Sequence, residues 1–328
     1  MTYAALTGWG MYVPERVLSN ADLERIVDTS DEWIVQRTGI RERRIAGPGE
    51  TSATMGVRAA RQALDRAGVD PRDIDILVVA TSTPDQLMPS AACVVQTELG
   101  AVRAGPMDVN AACSGFAYGL AVGTQFVRSG TSKTVLVIGT DTLSRFLNYQ
   151  DRGTCILFGD GAGAVVLQAT DEPTGVLSID LGAIPNTGEM LEIPGGGSAH
   201  PASPETLDQK LHYMTMQGRE VFKHAVRAMG ESTLKVIADA GLTPDQVSLL
   251  IPHQANIRII DAMAKRLELP MHQVFVNIDR YGNTSAASIP IAMCEAQEAG
   301  LLKRGDHLAI TAFGGGLTWG SALIRWSV

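Results

Sequence analysis

The chain repeats itself, and that limits what it can fold into more than any local propensity does. Ala67-Gly68-Val69-Asp70-Pro71, followed by the apolar run Ile74–Val79, returns at a spacing of 173 as Ala240-Gly241-Leu242-Thr243-Pro244, followed by Val247–Pro252. Val135–Thr140 returns as Leu308–Phe313 in the same register. Between these, Met107-Asp108-Val109-Asn110 matches Val274-Phe275-Val276-Asn277 at a spacing of 167, so the second half carries six extra residues, Ile278–Asn283. A last match sets Phe158-Gly159-Asp160-Gly161 against Phe313-Gly314-Gly315-Gly316, with a longer loop, 141–157, in front of the first copy. At 328 residues the chain exceeds the size at which single cores stop growing. The repeat is therefore read as two similar halves, 1–172 and 173–328, about a pseudo-twofold axis.

Within each half, short β-branched runs alternate with longer segments of helical spacing. Ile74–Ala80, Val135–Gly139, Val247–Ile251 and Leu308–Ala312 read as strands. Thr51–Ala67, closed by Gly68, and Arg219–Ala240, closed by Gly241, read as helices with glycine at the C-terminal cap. Thr29–Glu32 has the T-x-x-E form of a capping box ahead of Trp33. The fold class is α/β, built of βαβ-rich halves. A net charge of −8 argues against a nucleic-acid partner, because phosphate binding rests on clustered Lys and Arg. No apolar run approaches the roughly 20 residues of a membrane span. Met1–Pro14 lacks the basic start and apolar stretch of a signal peptide, so no membrane association and a cytoplasmic location are expected. Cys93, Cys113, Cys155 and Cys294 form no C-x-x-C pair and no zinc-type spacing with His, so no metal is expected.

Cys113 differs from the other three cysteines in its setting. It lies in Asn110-Ala111-Ala112-Cys113-Ser114-Gly115, just after a strand and at the start of a segment that is small and apolar all round. That places it at the N-terminus of a buried helix, where free N–H groups and the positive end of the dipole lower a thiol pKa and make the sulfur nucleophilic. His253 opens Pro252-His253-Gln254-Ala255-Asn256 at the carboxyl end of a strand, the end at which ligands gather in open α/β sheets. Locally it suits a structural role as well. Asn283, in Tyr281-Gly282-Asn283-Thr284-Ser285, reads locally as an ordinary helix N-cap. The repeat gives both a functional reading, since it brings the strand ends bearing Cys113, His253 and the six-residue extension together near the dyad. Gly314-Gly315-Gly316 is either a tight turn or a place where a backbone N–H approaches a ligand closely.

Asn-Ala-Ala-Cys-Ser-Gly-Phe around Cys113, Pro-His-Gln-Ala-Asn at 252–256, Gly-Asn-Thr-Ser-Ala-Ala-Ser at 282–288 and Phe-Gly-Gly-Gly-Leu-Thr-Trp-Gly-Ser at 313–321 occur in the order of the signatures of 3-oxoacyl-(acyl-carrier-protein) synthase III. Over nearly its whole length the chain resembles that family, the ketoacyl synthases that start type II fatty acid synthesis. The resemblance implies a homodimeric thiolase-like fold in five layers, α-β-α-β-α, and a decarboxylating acyltransferase that uses no cofactor. Acyl-CoA and malonyl-acyl-carrier protein would be its substrates. Cys113 would carry the acyl group, the N–H groups of Cys113 and Gly315 would form the oxyanion hole, and His253 with Asn283 would bind the malonyl thioester. Trp33, Arg37 and Arg152 match positions that hold CoA, while Met88, Leu157, Met216 and Phe222 match acyl-pocket positions, Met88 acting across the dimer interface. Gln254, Ala255, Asn256, Ile257, Arg258, Lys265 and Arg266 match the segment on which the acidic carrier protein docks. A related starter synthase of secondary metabolism or polyketide synthesis is the alternative that the same Cys-His-Asn set leaves open.

Overall fold

The computed structural model describes residues 2–328. One five-stranded sheet contains β1 (Tyr3–Tyr12), β2 (Ile76–Ala80), β3 (Gly105–Val109), β4 (Thr134–Thr142) and β5 (Asp160–Thr170), in spatial order β1-β5-β4-β2-β3. A four-stranded sheet contains β6 (Gly175–Ala183), β7 (Leu249–Pro252), β8 (His307–Gly314) and β9 (Thr318–Arg325), in order β6-β9-β8-β7. The principal helices are α1 (Asp31–Thr38), α2 (Ser52–Ala67), α3 (Ala91–Leu99), α4 (Gly115–Arg128), α5 (Gly218–Asp239), α6 (Ile257–Arg266) and α7 (Ser288–Glu298). The chain passes from one sheet to the other between Thr170 and Gly175.

Pairing repeats between the sheets with the register seen in the sequence. Ile76 faces Val135 in the parallel pair β2–β4, and Leu249 faces Leu308 in the parallel pair β7–β8, so both partners shift by the same repeat spacing. β5 and β9 then run antiparallel to β4 and β8. Two expectations need correcting. Val274–Asn277, the counterpart of β3, does not form a strand; it meets β7 through one bridge, Leu250 to Val274, because the six-residue extension turns the chain into a short helix at Ile278–Tyr281. The match of Phe158-Gly159-Asp160 to Phe313-Gly314-Gly315 also fails, since Phe313 and Gly314 end β8 whereas Asp160 begins β5, whose counterpart is β9.

Alternation along the strands makes the layers. Val135 and Val137 of β4 face inward with Phe116 and Leu120 of α4, Ile289 and Met293 of α7, and Leu308 and Ile310 of β8. Leu136 and Ile138 face outward onto Met55, Ala59 and Ala63 of α2 and Val95 of α3. Ala309 and Leu323 face Met229 and Val236 of α5 and Ile260 and Met263 of α6. The order is α2/α3, sheet, α4/α7, sheet, α5/α6, the five-layer α/β arrangement expected. A strand buried on both faces must read as a continuous apolar run, and every residue of β4 is buried. The small residues of α4 let it approach the sheet: a Cβ at Gly123 would lie 3.0 Å from the methyls of Val135 and Val137. The central helices thus start together between the sheets, which places Cys113 and Asn283 beside the dyad.

The cap of α1 differs from its expected form. Ser30 rather than Thr29 is the N-cap and accepts from the Trp33 N–H, because the first helical residue is Asp31. Glu32 consequently falls outside the capping position and accepts from Gln36 one turn on.

Candidate active site

A single cavity of about 720 Å³ runs from Trp33, Arg37 and Arg258 down to Cys113, His253 and Asn283. Each inner residue is delivered by its own element. Cys113 sits in a short 3-10 turn, Ala112–Ser114, that leads into α4. The preceding Ala112 takes a left-handed φ of +48°. Its counterpart in the second half, Ser285, takes φ +51° ahead of α7. Left-handed backbone costs a non-glycine residue roughly 1–2 kcal/mol, so both turns are held by their surroundings. Neither the Cys113 N–H nor the Gly315 N–H has an acceptor outside its own residue among the described residues. A buried unpaired N–H is costly, so the arrangement favours an oxygen brought in by a ligand. Glycine at 314 is required here, since a Cβ there would stand 2.5 Å from the Cys113 nitrogen.

His253 follows β7 directly and its backbone N–H donates to the Thr311 carbonyl at 2.7 Å. Its Nδ1 lies 2.6 Å from the Ser288 hydroxyl, which leaves Nε2 to the cavity. A hydroxyl both donates and accepts, so Ser288 orients the ring without fixing its tautomer. Burial lowers the His253 pKa to about 3, and the imidazole is neutral throughout the physiological range. Asn283 is clamped by its backbone: its N–H donates to Leu157 and its carbonyl accepts from Gly159. Its Oδ1 accepts from the Ser285 N–H at 2.9 Å, so the Nδ2 donors are the part turned to the cavity.

The expected lowering of the Cys113 pKa by the helix end is overturned. Burial pushes the thiol up to about 12 and the Asp141 carboxylate adds to it, while the Ser285 hydroxyl and the residue's own N–H pull the other way. The resting group is a thiol, and its proton must leave during attack rather than before it.

Among the outer residues, the guanidiniums of Arg37 and Arg152 lie 4.6 Å and 4.9 Å from the Trp33 ring centroid, a cation–π cluster at the cavity mouth. Leu157, Met216 and Phe222 line the cavity; Met88 does not, and at 85% exposed it stands on the surface of the single chain. In the segment after β7, Ala255, Asn256 and Arg258 line the mouth. Asn256 is the N-cap of α6 and accepts from the Arg258 N–H at 2.9 Å. Ile257 is half-buried against Gly39. Gln254 cannot serve as a docking residue: it is 1% exposed, donates to the Pro252 and Phe275 carbonyls and accepts from the Asn277 N–H. Arg258, Lys265 and Arg266 are all exposed, and Arg266 lies along α5 and pairs with Glu231 at 3.1 Å.

Four residues that the motifs did not single out shape the site. Ser288 and Ser285 orient the catalytic-type side chains, and both sit in the Gly-Asn-Thr-Ser-Ala-Ala-Ser motif, where the hydroxyl spacing from Asn283 was the available signal. Arg43 is fully buried and donates to the Ile156 carbonyl at 2.6 Å, pinning the loop that carries Leu157; burial lowers its pKa to about 10. Asp141, at the end of β4, is fully buried as well.

The chain is similar to known proteins of one family. The family model described as 3-oxoacyl-(acyl-carrier-protein) synthase III matches residues 107–185, and its C-terminal companion matches residues 237–326. A relative from Roseiflexus sp. (strain RS-1), named beta-ketoacyl-(acyl-carrier-protein) synthase III, is 58% identical over 99% of both chains. The crystal structure of 3-oxoacyl-(acyl-carrier-protein) synthase III from Aquifex aeolicus VF5 superposes with a TM-score of 0.92 at 48% identity, covering 98% of this chain and 100% of that one. The priming beta-ketosynthase of the R1128 polyketide pathway superposes with a TM-score of 0.92 at 35% identity, covering 99% of this chain and 96% of that one.

Proposed function

This chain belongs to the 3-oxoacyl-(acyl-carrier-protein) synthase III family, and from that premise we propose how its own residues divide the reaction. It is a thiolase-fold condensing enzyme that initiates fatty acid synthesis, an acyltransferase joining an acyl primer to malonyl-acyl-carrier protein with loss of CO₂. Identity of 58% to a synthase III against 35% to the priming polyketide enzyme favours the fatty-acid role over the starter-synthase alternative.

The observation that carries the assignment of roles is the convergence of Cys113, His253 and Asn283 on one cavity whose mouth is basic and aromatic. Cys113 Sγ attacks the thioester carbon of acyl-CoA as its proton passes to His253 Nε2, and the N–H groups of Cys113 and Gly315 take the oxyanion. CoA leaves with that proton. With CoA gone the neutral imidazole shifts to its Nε2–H tautomer, the Ser288 hydroxyl now donating to Nδ1, and the malonyl thioester enters with its oxygen between that Nε2–H and the Nδ2 of Asn283. Loss of CO₂ leaves an enolate that these donors stabilise. Its carbon attacks the acyl-cysteine, releasing 3-oxoacyl-carrier protein and a thiolate that takes up one proton. The thioesters supply the leaving groups and the carboxylate supplies the electron pair, so the scheme calls on no cofactor or metal.

Trp33, Arg37 and Arg152 hold the CoA nucleotide by stacking and charge, and Leu157, Met216 and Phe222 enclose the acyl chain. The working form is a homodimer in which Met88 shapes the primer pocket of the second copy, and it acts in the cytoplasm. No described helix is long and apolar enough to cross a membrane. Arg258 and Lys265 form the basic face that meets the carrier protein. Arg258→Glu raises KM for malonyl-carrier protein about tenfold while acylation by acyl-CoA changes less than threefold, as expected for a charge at an interface rim; equal losses in both assays would remove the docking face.

A neutral His253 also gives a pH signature. With its folded pKa near 3, the imidazole does not change charge around 6.5, so malonyl decarboxylation shows no His inflection between pH 5 and 8. An inflection near 6.5 that disappears in His253→Gln would contradict a buried neutral donor. The activity itself is tested by incubating the purified chain with a panel of acyl-CoAs and malonyl-carrier protein. CoA, CO₂ and 3-oxoacyl-carrier protein should appear in equal amounts; acyl transfer without CO₂ release would sink the assignment.

A further inference from the structure

The pseudo-twofold axis relates Cys113 to Ala286 and Asp141 to Gly314, each pair separated by the repeat spacing and each on matching elements. In the first half's turn, glycine at 314 leaves the space beside the Cys113 N–H clear. In the second half's turn, the Asp141 carboxylate lies against the corresponding N–H: Oδ2 accepts from the Ala286 N–H at 3.2 Å. Oδ1 accepts from the Thr81 hydroxyl, the Ser82 N–H, the Thr83 N–H and the Thr83 hydroxyl, at 2.8–3.1 Å. Asp141 is 0% exposed, and no Lys or Arg pairs with it among the described residues. An unpaired buried carboxylate is unfavourable unless donors surround it, so a simple apolar contact would have served stability better. Its donors come from the residues that follow β2 in the first half and from the turn of the second half, where it meets the residue next to left-handed Ser285. The Ser285 N–H in turn donates to Asn283 Oδ1.

We propose that Asp141 is a positioning residue for decarboxylation: it occupies the anion pocket of the second half's turn, the counterpart of the oxyanion pocket at Cys113, and so holds Ser285 left-handed and aims the Asn283 amide into the cavity. The pocket left open at Cys113 takes substrate oxygen, and the one filled by Asp141 takes none. This rests on the proposed role of Asn283 and adds a residue that touches no substrate.

Half-reactions separate the two ideas. In Asp141→Asn, kcat for malonyl decarboxylation falls about 10- to 100-fold with KM changed less than threefold, while Cys113 acylation does not fall, since losing the nearby charge relieves the upward push on the thiol. Because Asp141 acts through Asn283, the Asp141→Asn/Asn283→Ala double variant loses no more than Asn283→Ala alone. Ser285→Gly, which takes positive φ without cost, restores part of the decarboxylation lost in Asp141→Asn. Fully additive losses, or acylation and decarboxylation falling together, overturn the proposal. If Asp141→Asn does not fold, Ser285→Gly and Ser285→Ala carry the test in the parent chain. Both lack the hydroxyl, so Gly should decarboxylate faster than Ala; equal or reversed rates overturn the proposal. Failure of the parent chain to decarboxylate malonyl-carrier protein would instead strike the functional reading beneath it.

Discussion

Replacing Cys113 by Ser is expected to lower acyl transfer from acyl-CoA to the protein by at least about 10³-fold, because the covalent step then lacks its nucleophile. The serine hydroxyl holds its proton more tightly than the thiol, and His253 is a weak base: burial puts its pKa near 3. The parent chain should gain the mass of one acyl group, since the other cysteines lack the surroundings of a nucleophile. Cys155 and Cys294 are buried and, unlike Cys113, do not line the cavity that holds His253 and Asn283. Cys93 lies on α3, where its N–H donates to the hydroxyl of the N-cap Ser90, away from the cavity. Intact-mass spectrometry after incubation with acyl-CoA reads the result directly. A Cys113→Ser protein that still gained one acyl mass would place the nucleophile elsewhere.

Asn283→Ala is expected to leave that acylation within about threefold and to cut malonyl decarboxylation by about 10²- to 10³-fold, the scale seen when one donor to a developing oxyanion is removed. The division follows from where the two donor sets point. Cys113 and Gly315 offer unpaired N–H groups beside the sulfur, while Asn283 Nδ2 and His253 Nε2 reach the cavity from the other half. Separate assays of acyl uptake and CO₂ release distinguish the outcomes. Parallel losses in both would mean that Asn283 supports the fold of the site rather than one step of the reaction.

Much of this was legible in the sequence, for a physical reason. A duplicated α/β unit has to pair equivalent strands in equivalent registers, so the repeat spacing reappears in the sheet pairings and accounts for the meeting of the two halves near the dyad. Local pattern did less well wherever tertiary contacts decide. Val276 and its neighbours have strand character, yet the extension after Asn277 pulls the chain into a short helix and a single bridge is all that forms. The thiol's titration was misjudged because a helix end is visible in a sequence and complete burial among side chains from both halves is not. Gln254 sits in a motif that suggested docking, but nothing local shows that its amide is consumed by Pro252, Phe275 and Asn277. Asp141 was overlooked because its significance lies in a comparison: the residue in its register in the other half is a glycine.

One structure would test the division of labour most directly: the enzyme with a malonyl thioester analogue that cannot lose CO₂. The thioester oxygen should lie within about 3.2 Å of both His253 Nε2 and Asn283 Nδ2, with the reactive carbon turned toward Cys113 Sγ. An oxygen bound instead to the Cys113 and Gly315 N–H groups, or a malonyl group outside this cavity, would contradict the account.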